Sequence, residues 1–292
     1  LFRRMNILLD EAEMGANWLL QFSSEIEQRY LRRLSIITEL KEVLQSEQDE
    51  LSLVYQPKIS LKTRQVNGLE ALIRWNSQRL GFIPPDEFIE IAEQAGFIEQ
   101  VTDWVLSRVV ADILILRAHQ IHIKPAVNLS TQDIQNRPLL ERLIALLDAN
   151  ELSADNITLE ITESDLVADA KIAIANLQFL QDKGFSIAID DFGTGYSSLA
   201  YLKNLPVSAI KIDKAFVLNL STDTEDQQIV HTVLSLSNIF DLEVVAEGVE
   251  DANAMEILAE WGCDTAQGYY ISRPLPLGGL IDWLASSDYY QH

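Results

Sequence analysis

The sequence has one cysteine, four histidines and a shortage of basic residues, and each shortage excludes a class of protein. A lone cysteine, Cys263, cannot form a disulfide within the chain, so we expect a reducing, cytoplasmic setting. The 22 Lys and Arg residues face 44 Asp and Glu residues, and the formal net charge of −22 disfavours contact with polymeric nucleic acid or an anionic membrane. No apolar run approaches the roughly 18 residues that span a bilayer, and we expect no signal peptide.

The composition is otherwise that of a globular protein. Hydrophobic residues make up 48% and charged residues 23% of the 292 positions, which argues against disorder and low-complexity classes. The length suits one large α/β barrel or two smaller domains. Because the first residue is Leu1 rather than Met, we expect a fragment of a longer protein.

Two helices are predicted before the main domain. Residues 1–41 balance their acidic and basic side chains, so the surplus negative charge lies in residues 42–292 and indicates a boundary. Apolar residues at helical spacing predict one helix that ends at Gly15 and a second from about Ser24 to Gln45. We interpret residues 21–48 as a linker helix that leads into a main domain at residues 49–288.

Short apolar segments then alternate with amphipathic segments of helical length. Strands are predicted at residues 51–59, 66–75, 123–130, 156–161, 185–190, 208–212, 242–246 and 263–266, and helices at 98–118, 138–149, 168–182, 225–239 and 251–260. This alternation favours an α/β fold, the TIM or (β/α)8 barrel. Residues 61–65 are too few for a parallel crossover between the first two strands. We therefore expect a modified barrel with an antiparallel first strand.

Polar or charged side chains stand at the ends of six strands, although strands buried between a barrel core and outer helices should be apolar. The carboxyl ends of barrel strands form the catalytic face. Each acid taken singly is an ordinary helix cap or solvated turn, but the set predicts one mouth rich in oxygen ligands. The residues at these ends are Glu70, Asn128, Glu160, Asp190, Asp191, Lys211, Asp213 and Glu247.

Carboxylates that converge on one mouth repel each other unless cations neutralise them. Oxygen ligands without a Cys and His cluster suit Mg²⁺ or Mn²⁺ rather than Zn²⁺. The adjacent pair Asp190 and Asp191 suits two ions, the arrangement of two-metal phosphoryl hydrolysis. Lys211 is then the group expected to orient the attacking water and to offset phosphate charge.

Two glycines, Gly193 and Gly195, follow the strand that ends in the acidic pair. They permit a tight loop over residues 192–199, but the segment lacks the full G-x-G-x-x-G pattern of a dinucleotide-binding turn. We interpret it as a mobile loop that places Asp191 beside Asp190. Cys263 and the histidines are interpreted as core, surface or structural residues.

These motifs, taken in their order along the chain, resemble the EAL domain, the family of cyclic di-GMP phosphodiesterases. The resemblance covers about residues 50–285. Its segments are YQP at 55–57, EALIRW at 70–75, NLS at 128–130, LEITES at 159–164, IDDFGTGYSSL at 189–199, IKID at 210–213, AEGVE at 246–250 and QGY at 267–269.

The resemblance implies a modified (β/α)8 barrel and hydrolysis of one phosphodiester bond of cyclic di-GMP, which gives linear pGpG. It implies that Lys211 holds and activates the attacking water, and that Glu163 anchors the 192–199 loop. The implied ligands of a first Mg²⁺ or Mn²⁺ ion are Glu70, Asn128, Glu160 and Asp190, and those of a second ion are Asp190, Asp191 and Glu247. The implied catalytic network is Lys211, Asp213, Glu247 and Glu70, and the implied substrate contacts are Gln56, Leu72, Arg74, Asp191 and Gln267.

Two alternatives remain open. One is a catalytically silent cyclic di-GMP receptor that signals through the 24–45 helix, since many family members have lost ligands; the complete acidic set argues against it. The other is an unrelated Mg²⁺ barrel enzyme that abstracts a proton from a carboxylate substrate, which would not explain the adjacent Asp pair.

Residues 1–20 are similar to the last helix of a GGDEF, or diguanylate cyclase-like, domain, which implies upstream domains in the parent chain. Because barrels of this family often pair, we also expect a homodimer.

Overall fold

A computed structural model describes residues 24–46, 49–163, 170–193, 202 and 205–290. The chain divides into two compact units, residues 1–52 with 74–98 and residues 53–73 with 99–292. The predicted helix before Gly15 and all but the start of the predicted loop 192–199 lie outside the described residues. Within the described ranges, no helix has both the length and the apolar character needed to cross a bilayer.

In the described residues of the smaller unit, two helices and a short strand lie wholly within its bounds. These are helix α1 (Ser24–Leu44), strand β3 (Gly81–Ile83) and helix α2 (Pro85–Gln94). Helix α1 occupies the segment predicted to be the linker helix, and it buries Ile36 and Leu40 completely. The rings of Trp75 and Phe88, both buried, pack edge to face with centroids 5.5 Å apart. That α1 serves as a linker stays a prediction.

Eight strands of the sheet close into a barrel. They are β1 (Leu51–Ser60), β2 (Val66–Ser77), β4 (Pro125–Leu129), β5 (Thr158–Thr162), β6 (Ser186–Phe192), β7 (Ala209–Ile212), β8 (Glu243–Ala246) and β9 (Thr265–Gln267). Around the barrel the order is β1, β9, β8, β7, β6, β5, β4 and β2, and β2 pairs back onto β1. Strand β1 is antiparallel to β9, whereas the neighbouring pairs from β2 through β9 are parallel. The predicted modified barrel is confirmed.

Helices follow the parallel strands, as the alternation of the sequence predicts. They are α3 (Ile98–Ala118), α4 (Thr131–Gln135), α5 (Arg137–Ala149), α6 (Ala170–Asp182), α7 (Lys214–Val217), α8 (Thr224–Phe240), α9 (Ala252–Glu260) and α10 (Leu277–Ser286). Local sequence explains where they begin: Asp223 caps α8, and the side chain of Asp251 accepts the Ala254 N–H at the start of α9. The sequence analysis missed α2, α4, α7, α10, β3 and the short strand β10 (Leu275–Pro276), which pairs with β1.

The parallel strands are buried on both faces, and most of their side chains below the carboxyl ends are apolar. Leu159, Ile187 and Ile210 are between 0% and 1% exposed. Lys211 breaks this rule, since it is fully buried in a strand whose four residues are all buried. A charged group enclosed in a barrel wall needs partners of opposite charge, and these partners define the candidate site.

Candidate active site and metal centre

Strand register brings the polar residues of neighbouring strands to one level of the barrel. Asn128 on β4 pairs with Glu160 on β5, and Thr162 on β5 pairs with Asp190 on β6. These residues lie at the carboxyl ends of parallel strands, which meet at the same mouth of a barrel. The structure therefore places together side chains that are far apart in sequence.

Lys211 lies at the centre of this mouth. Its Nζ is 2.7 Å from Oε2 of Glu160, 2.8 Å from Oδ2 of Asp190 and 2.7 Å from Oε1 of Glu247. Oε1 of Glu70 is 3.7 Å away. Burial by itself would lower the pKa of this ammonium, but the four carboxylates outweigh burial and hold the pKa well above its usual value. Lys211 therefore stays protonated and acts as a donor and a positive charge.

The carboxylates around Lys211 differ in how easily they ionise. The pKa of Glu247 is raised to about 8, and burial is the largest cause. The charges of Asp190 and Glu70 raise this pKa further, whereas the charge of Lys211 lowers it by less than the others raise it. Burial likewise raises the pKa of Asp190. The mouth thus carries more negative charge than its lysine can neutralise, which favours the uptake of protons or metal ions.

Glu70 behaves in the opposite way. Burial opposes its ionisation, but the charges of Lys211 and Lys58 and hydrogen bonds from Gln267 and Asn128 together lower its pKa to about 2. The Asn128 amide donates to Oε1 at 3.1 Å, and the Gln267 amide donates to Oε2 at 2.6 Å. Glu70 is therefore an ionised carboxylate at neutral pH, held in place by two amide hydrogen bonds.

Two groups of carboxylates have ligand atoms within 4.8 Å of one another and could each hold a metal ion. One group is Glu70, Glu160 and Asp190, and the other is Asp190, Asp191 and Glu247. Asp190 belongs to both, so one carboxylate can serve two neighbouring ions. An all-oxygen donor set fits a hard divalent cation. The two groups correspond to the two ligand sets expected from the sequence, with Asn128 beside Glu70.

Asp191 is presented by a local irregularity of β6. The register with β7 shifts between Ile189 and Phe192, and Asp191 has a positive φ of 52°. Its N–H donates to Oδ1 of Asp190 at 2.9 Å. Burial, the charge of Asp190 and a hydrogen bond with Asp213 raise the pKa of Asp191 to about 6. Adjacent acids are thus turned toward one site rather than to opposite faces of the strand.

Asp213 and Glu163 support this part of the mouth through backbone contacts. Asp213 caps helix α7, and its Oδ1 accepts the Ala215 N–H at 2.8 Å. Oε2 of Glu163 accepts the Gly193 N–H at 3.1 Å, at the start of the predicted loop. The contact with Gly193 is the position expected for a loop anchor, while the rest of that loop lies outside the described residues.

A row of amide side chains borders the acidic cluster. Gln267 donates from Nε2 to Oε1 of Gln56 at 3.0 Å as well as to Glu70, and Gln56 donates to the Ser272 carbonyl at 3.0 Å. Oε1 of Gln267 is buried and has no hydrogen-bond partner within the described part of the chain. A buried, unpartnered acceptor is costly, so it marks a place where a ligand donor would be stabilising.

Gln267 is held in place by a close approach of backbones. The next residue is Gly268, and a Cβ there would lie only 2.0 Å from the Val249 carbonyl oxygen. Val249 donates its N–H to the Gln267 carbonyl at 3.0 Å, and Tyr270 donates to the Val249 carbonyl at 3.0 Å. Only glycine fits at position 268, and this glycine lets β9 pack directly against the segment that follows β8.

A cavity of about 440 Å³ opens beside the acidic cluster. Leu72, Tyr269 and Lys214 form part of its wall, and Gln56, Gln267, Glu70 and Glu247 bring amides and carboxylates of the mouth to it. The sequence analysis missed the cavity residues Lys214, Leu218, Gly248, Glu250, Gly268 and Tyr269. Arg74 belongs to the smaller unit, so its expected contact with substrate stays a prediction.

The sequence analysis also missed Lys58. This lysine on β1 is 6% exposed, and its Nζ donates to Oε1 of Glu160. Alternation along a strand could have found it, because Lys58 follows Gln56 by two residues and so faces the same side of β1.

The fold and the site define a modified (β/α)8 barrel with a carboxylate-rich centre at the carboxyl ends of its strands, and this centre could hold divalent cations. The model of the EAL domain family matches residues 38–274, and the chain belongs to this family. Structural comparison agrees: the PaMucR phosphodiesterase, solved as a c-di-GMP complex, has a TM-score of 0.79 and 37% identity over 84% of this chain and 99% of that chain.

Curated relatives extend the comparison. The chain is 38% identical over 272 residues to the cyclic di-GMP phosphodiesterase NbdA of Pseudomonas aeruginosa, covering 92% of this chain and 34% of that protein. It is 34% identical over 271 residues to the cyclic di-GMP phosphodiesterase PdeR of Escherichia coli, covering 93% of this chain and 40% of that protein. The chain thus spans less than half the length of these curated relatives.

Proposed function

We propose that the barrel hydrolyses one phosphodiester bond of cyclic di-GMP and releases linear pGpG. The observation that carries the proposal is the contact of the buried, protonated Lys211 with Glu160, Asp190 and Glu247, carboxylates drawn from both potential metal groups. Such a cluster sets a positive charge against two carboxylate groups that could hold cations, which suits the stabilisation of a phosphoryl transition state. The names of the relatives supply the substrate.

We propose that Glu70, Asn128, Glu160 and Asp190 hold one Mg²⁺ or Mn²⁺ ion. Asp190, Asp191 and Glu247 would hold a second ion. When bound, such ions supply charge neutralisation for the phosphate and lower the pKa of water. The donor set fits them because every group offers oxygen, and Asp190 is common to both groups.

The side chains then have separate roles in the reaction. Lys211 donates a hydrogen bond that orients the attacking water, a role that fits the raised pKa that its carboxylate neighbours give it in the metal-free chain. Glu247, beside Lys211, is placed to accept the proton that the water loses. The water oxygen forms a bond to phosphorus, the bond from phosphorus to the 3′ oxygen breaks, and that oxygen takes up a proton. Asp213 keeps Asp191 in position through their hydrogen bond.

The cavity is proposed to hold part of the dinucleotide. Its volume of about 440 Å³ lies in the range of small-molecule sites. The unpartnered Oε1 of Gln267 can accept a hydrogen bond, Gln56 supports that amide, and Leu72 offers apolar contact. Arg74 would contact phosphate with its planar fork. These roles remain proposals.

The test uses purified protein, cyclic di-GMP, and Mg²⁺, Mn²⁺ or EDTA, with products separated by chromatography. We expect pGpG with either metal and none with EDTA. The matched variant Glu160→Gln keeps the shape of the side chain but removes a charge that both Lys211 and the first metal group use, and it should lose turnover. Binding of cyclic di-GMP without turnover under every metal would favour the receptor alternative.

Assembly and setting are also proposed. We propose a homodimer in the cytoplasm, attached to GGDEF-like or sensory domains in the parent protein. Light scattering that detects only monomer at high concentration would count against the homodimer.

A further inference from the structure

Lys58 is a second buried cation at the candidate metal centre. It lies on β1, the strand that runs antiparallel to β9, whereas Lys211 lies on β7. Lys58 is 6% exposed, and Glu160, its acceptor, is 1% exposed. Since burial of an unpaired charge is costly, each of these two groups depends on its partners.

The two lysines divide the oxygens of Glu160 between them. Lys58 donates to Oε1, and Lys211 donates to Oε2 at 2.7 Å. Glu160 therefore has an ammonium on each oxygen, although it also belongs to the carboxylate group that could hold a metal ion. A cation that takes up Glu160 as a ligand must share an oxygen with one of these lysines or displace it.

Lys211 and Lys58 have different surroundings. Lys211 contacts carboxylates of both groups. A substitution of Lys211 would therefore alter both the binding of a metal and the expected orientation of water, and the two effects could not be separated. Lys58 reaches the cluster through Glu160, and its positive charge also acts on Glu70. Its aliphatic stem runs beside Gly68 on β2. Lys58 thus acts on Glu160 and Glu70, which belong to the first carboxylate group.

We propose that Lys58 is a positioning residue that competes with the metal: it fixes Glu160 and, by its charge, weakens binding of a divalent cation at the Glu70, Glu160 and Asp190 group. The proposal rests on the proposed metal site but not on hydrolysis. A full positive charge within a few ångströms of a divalent cation opposes binding even when the effective dielectric constant is about 20. Removal of the charge should therefore tighten metal binding.

The experiment measures the Kd of Mn²⁺ for the metal-free, full chain by isothermal titration calorimetry, without nucleotide. Lys58→Met removes the charge and keeps the length of the side chain, Lys58→Gln keeps a hydrogen-bond donor for Glu160, and Lys58→Arg keeps the charge. We expect the Met and Gln variants to bind Mn²⁺ at least about tenfold more tightly than the wild type, with the Arg variant within about threefold of it.

Lys62→Met is the matched control, because Lys62 is exposed on the turn after β1, at the end of the barrel away from the mouth. It removes one positive charge and should leave the Kd unchanged. Equal or weaker binding by the Met and Gln variants would overturn the proposal and leave Lys58 a purely structural residue. If both charge-free variants fail to fold without metal, recovery of the native circular dichroism spectrum with Mn²⁺ supports the proposal, and no recovery overturns it. Hydrolysis is not measured, so these outcomes are independent of the proposed function.

Discussion

Replacement of Lys211 by methionine isolates the charge that holds the mouth together. Methionine has a similar length and no charge, so the substitution leaves little empty space. It leaves Glu160, Asp190 and Glu247 without the ammonium that now lies 2.7–2.8 Å from each of them. Glu160 would keep Lys58, whereas Asp190 and Glu247 would face each other's charge directly.

The expected loss of folding stability follows from the burial of Lys211 and its carboxylate partners. Loss of one partner from a buried ion pair destabilises a protein by about 3–5 kcal/mol, because the remaining charge stays uncompensated. At about 2–4 °C per kcal/mol for a domain of this size class, the Tm of the metal-free variant should fall by at least about 6 °C. The difference in Tm between the wild type and the variant should be smaller at lower pH. The unpaired carboxyls have raised pKa values in the folded variant, so they take up protons on folding. This proton uptake adds stability at low pH, and that stability is lost as pH rises.

The assay is thermal unfolding of the metal-free protein, followed by circular dichroism in EDTA at pH 5.5 and pH 8. Lys62→Met serves as the control, since it removes one exposed lysine and should change Tm by less than about 2 °C. In separate assays with Mn²⁺, turnover by the Lys211 variant should be absent at both pH values. A Tm equal to that of the wild type at pH 8, or a deficit that grows toward pH 5.5, would refute the electrostatic reasoning.

Three further predictions concern the same site. The affinity for Mn²⁺ should rise between pH 5.5 and 8.5, because a metal displaces protons from Asp191 and Glu247, whose pKa values are raised to about 6 and about 8; calorimetry that finds no pH dependence contradicts this. Glu163→Ala removes the acceptor of the Gly193 N–H and should lower kcat without changing the Kd of Mn²⁺, whereas Glu163→Gln keeps an oxygen there and should recover most of the activity. Gln267→Ala should raise KM for cyclic di-GMP at least about fivefold, measured by initial rates, and an unchanged KM would remove Gln267 from the substrate contacts.

The barrel could be predicted because its signals are local. Parallel strands buried on both faces appear as short apolar runs, and all eight are found within two residues of their predicted ends. The short connection at residues 61–65 was enough to predict that the first strand runs antiparallel to its neighbours, since no crossover helix fits there. Strand β1 is indeed antiparallel to β9. Helices α2 and α10 were missed. Their segments lie beyond the regular alternation of strand and helix, and each begins at or just after a proline.

The candidate site was partly predictable for a related reason. Carboxylates at strand ends stand out against apolar runs, which is why the sequence predicts Glu160 and Asp190 as candidate ligands, and the structure brings their side chains together. Lys58 does not stand out in this way, because it lies inside β1 rather than at the end of a strand, and its two-residue spacing from Gln56 is the only signal of β1 that points to it. Its contact with Glu160 joins β1 to β5, and only the closure of the barrel brings those strands together.

The most direct test of the central claim is the fate of water oxygen. The purified chain would be incubated with cyclic di-GMP in H₂¹⁸O with Mg²⁺ or Mn²⁺, and the product would be examined by mass spectrometry. The account predicts pGpG with one ¹⁸O atom on its terminal phosphate, and no product after treatment with EDTA. The account would be contradicted if a folded protein that binds cyclic di-GMP left the nucleotide intact and unlabelled with both Mg²⁺ and Mn²⁺.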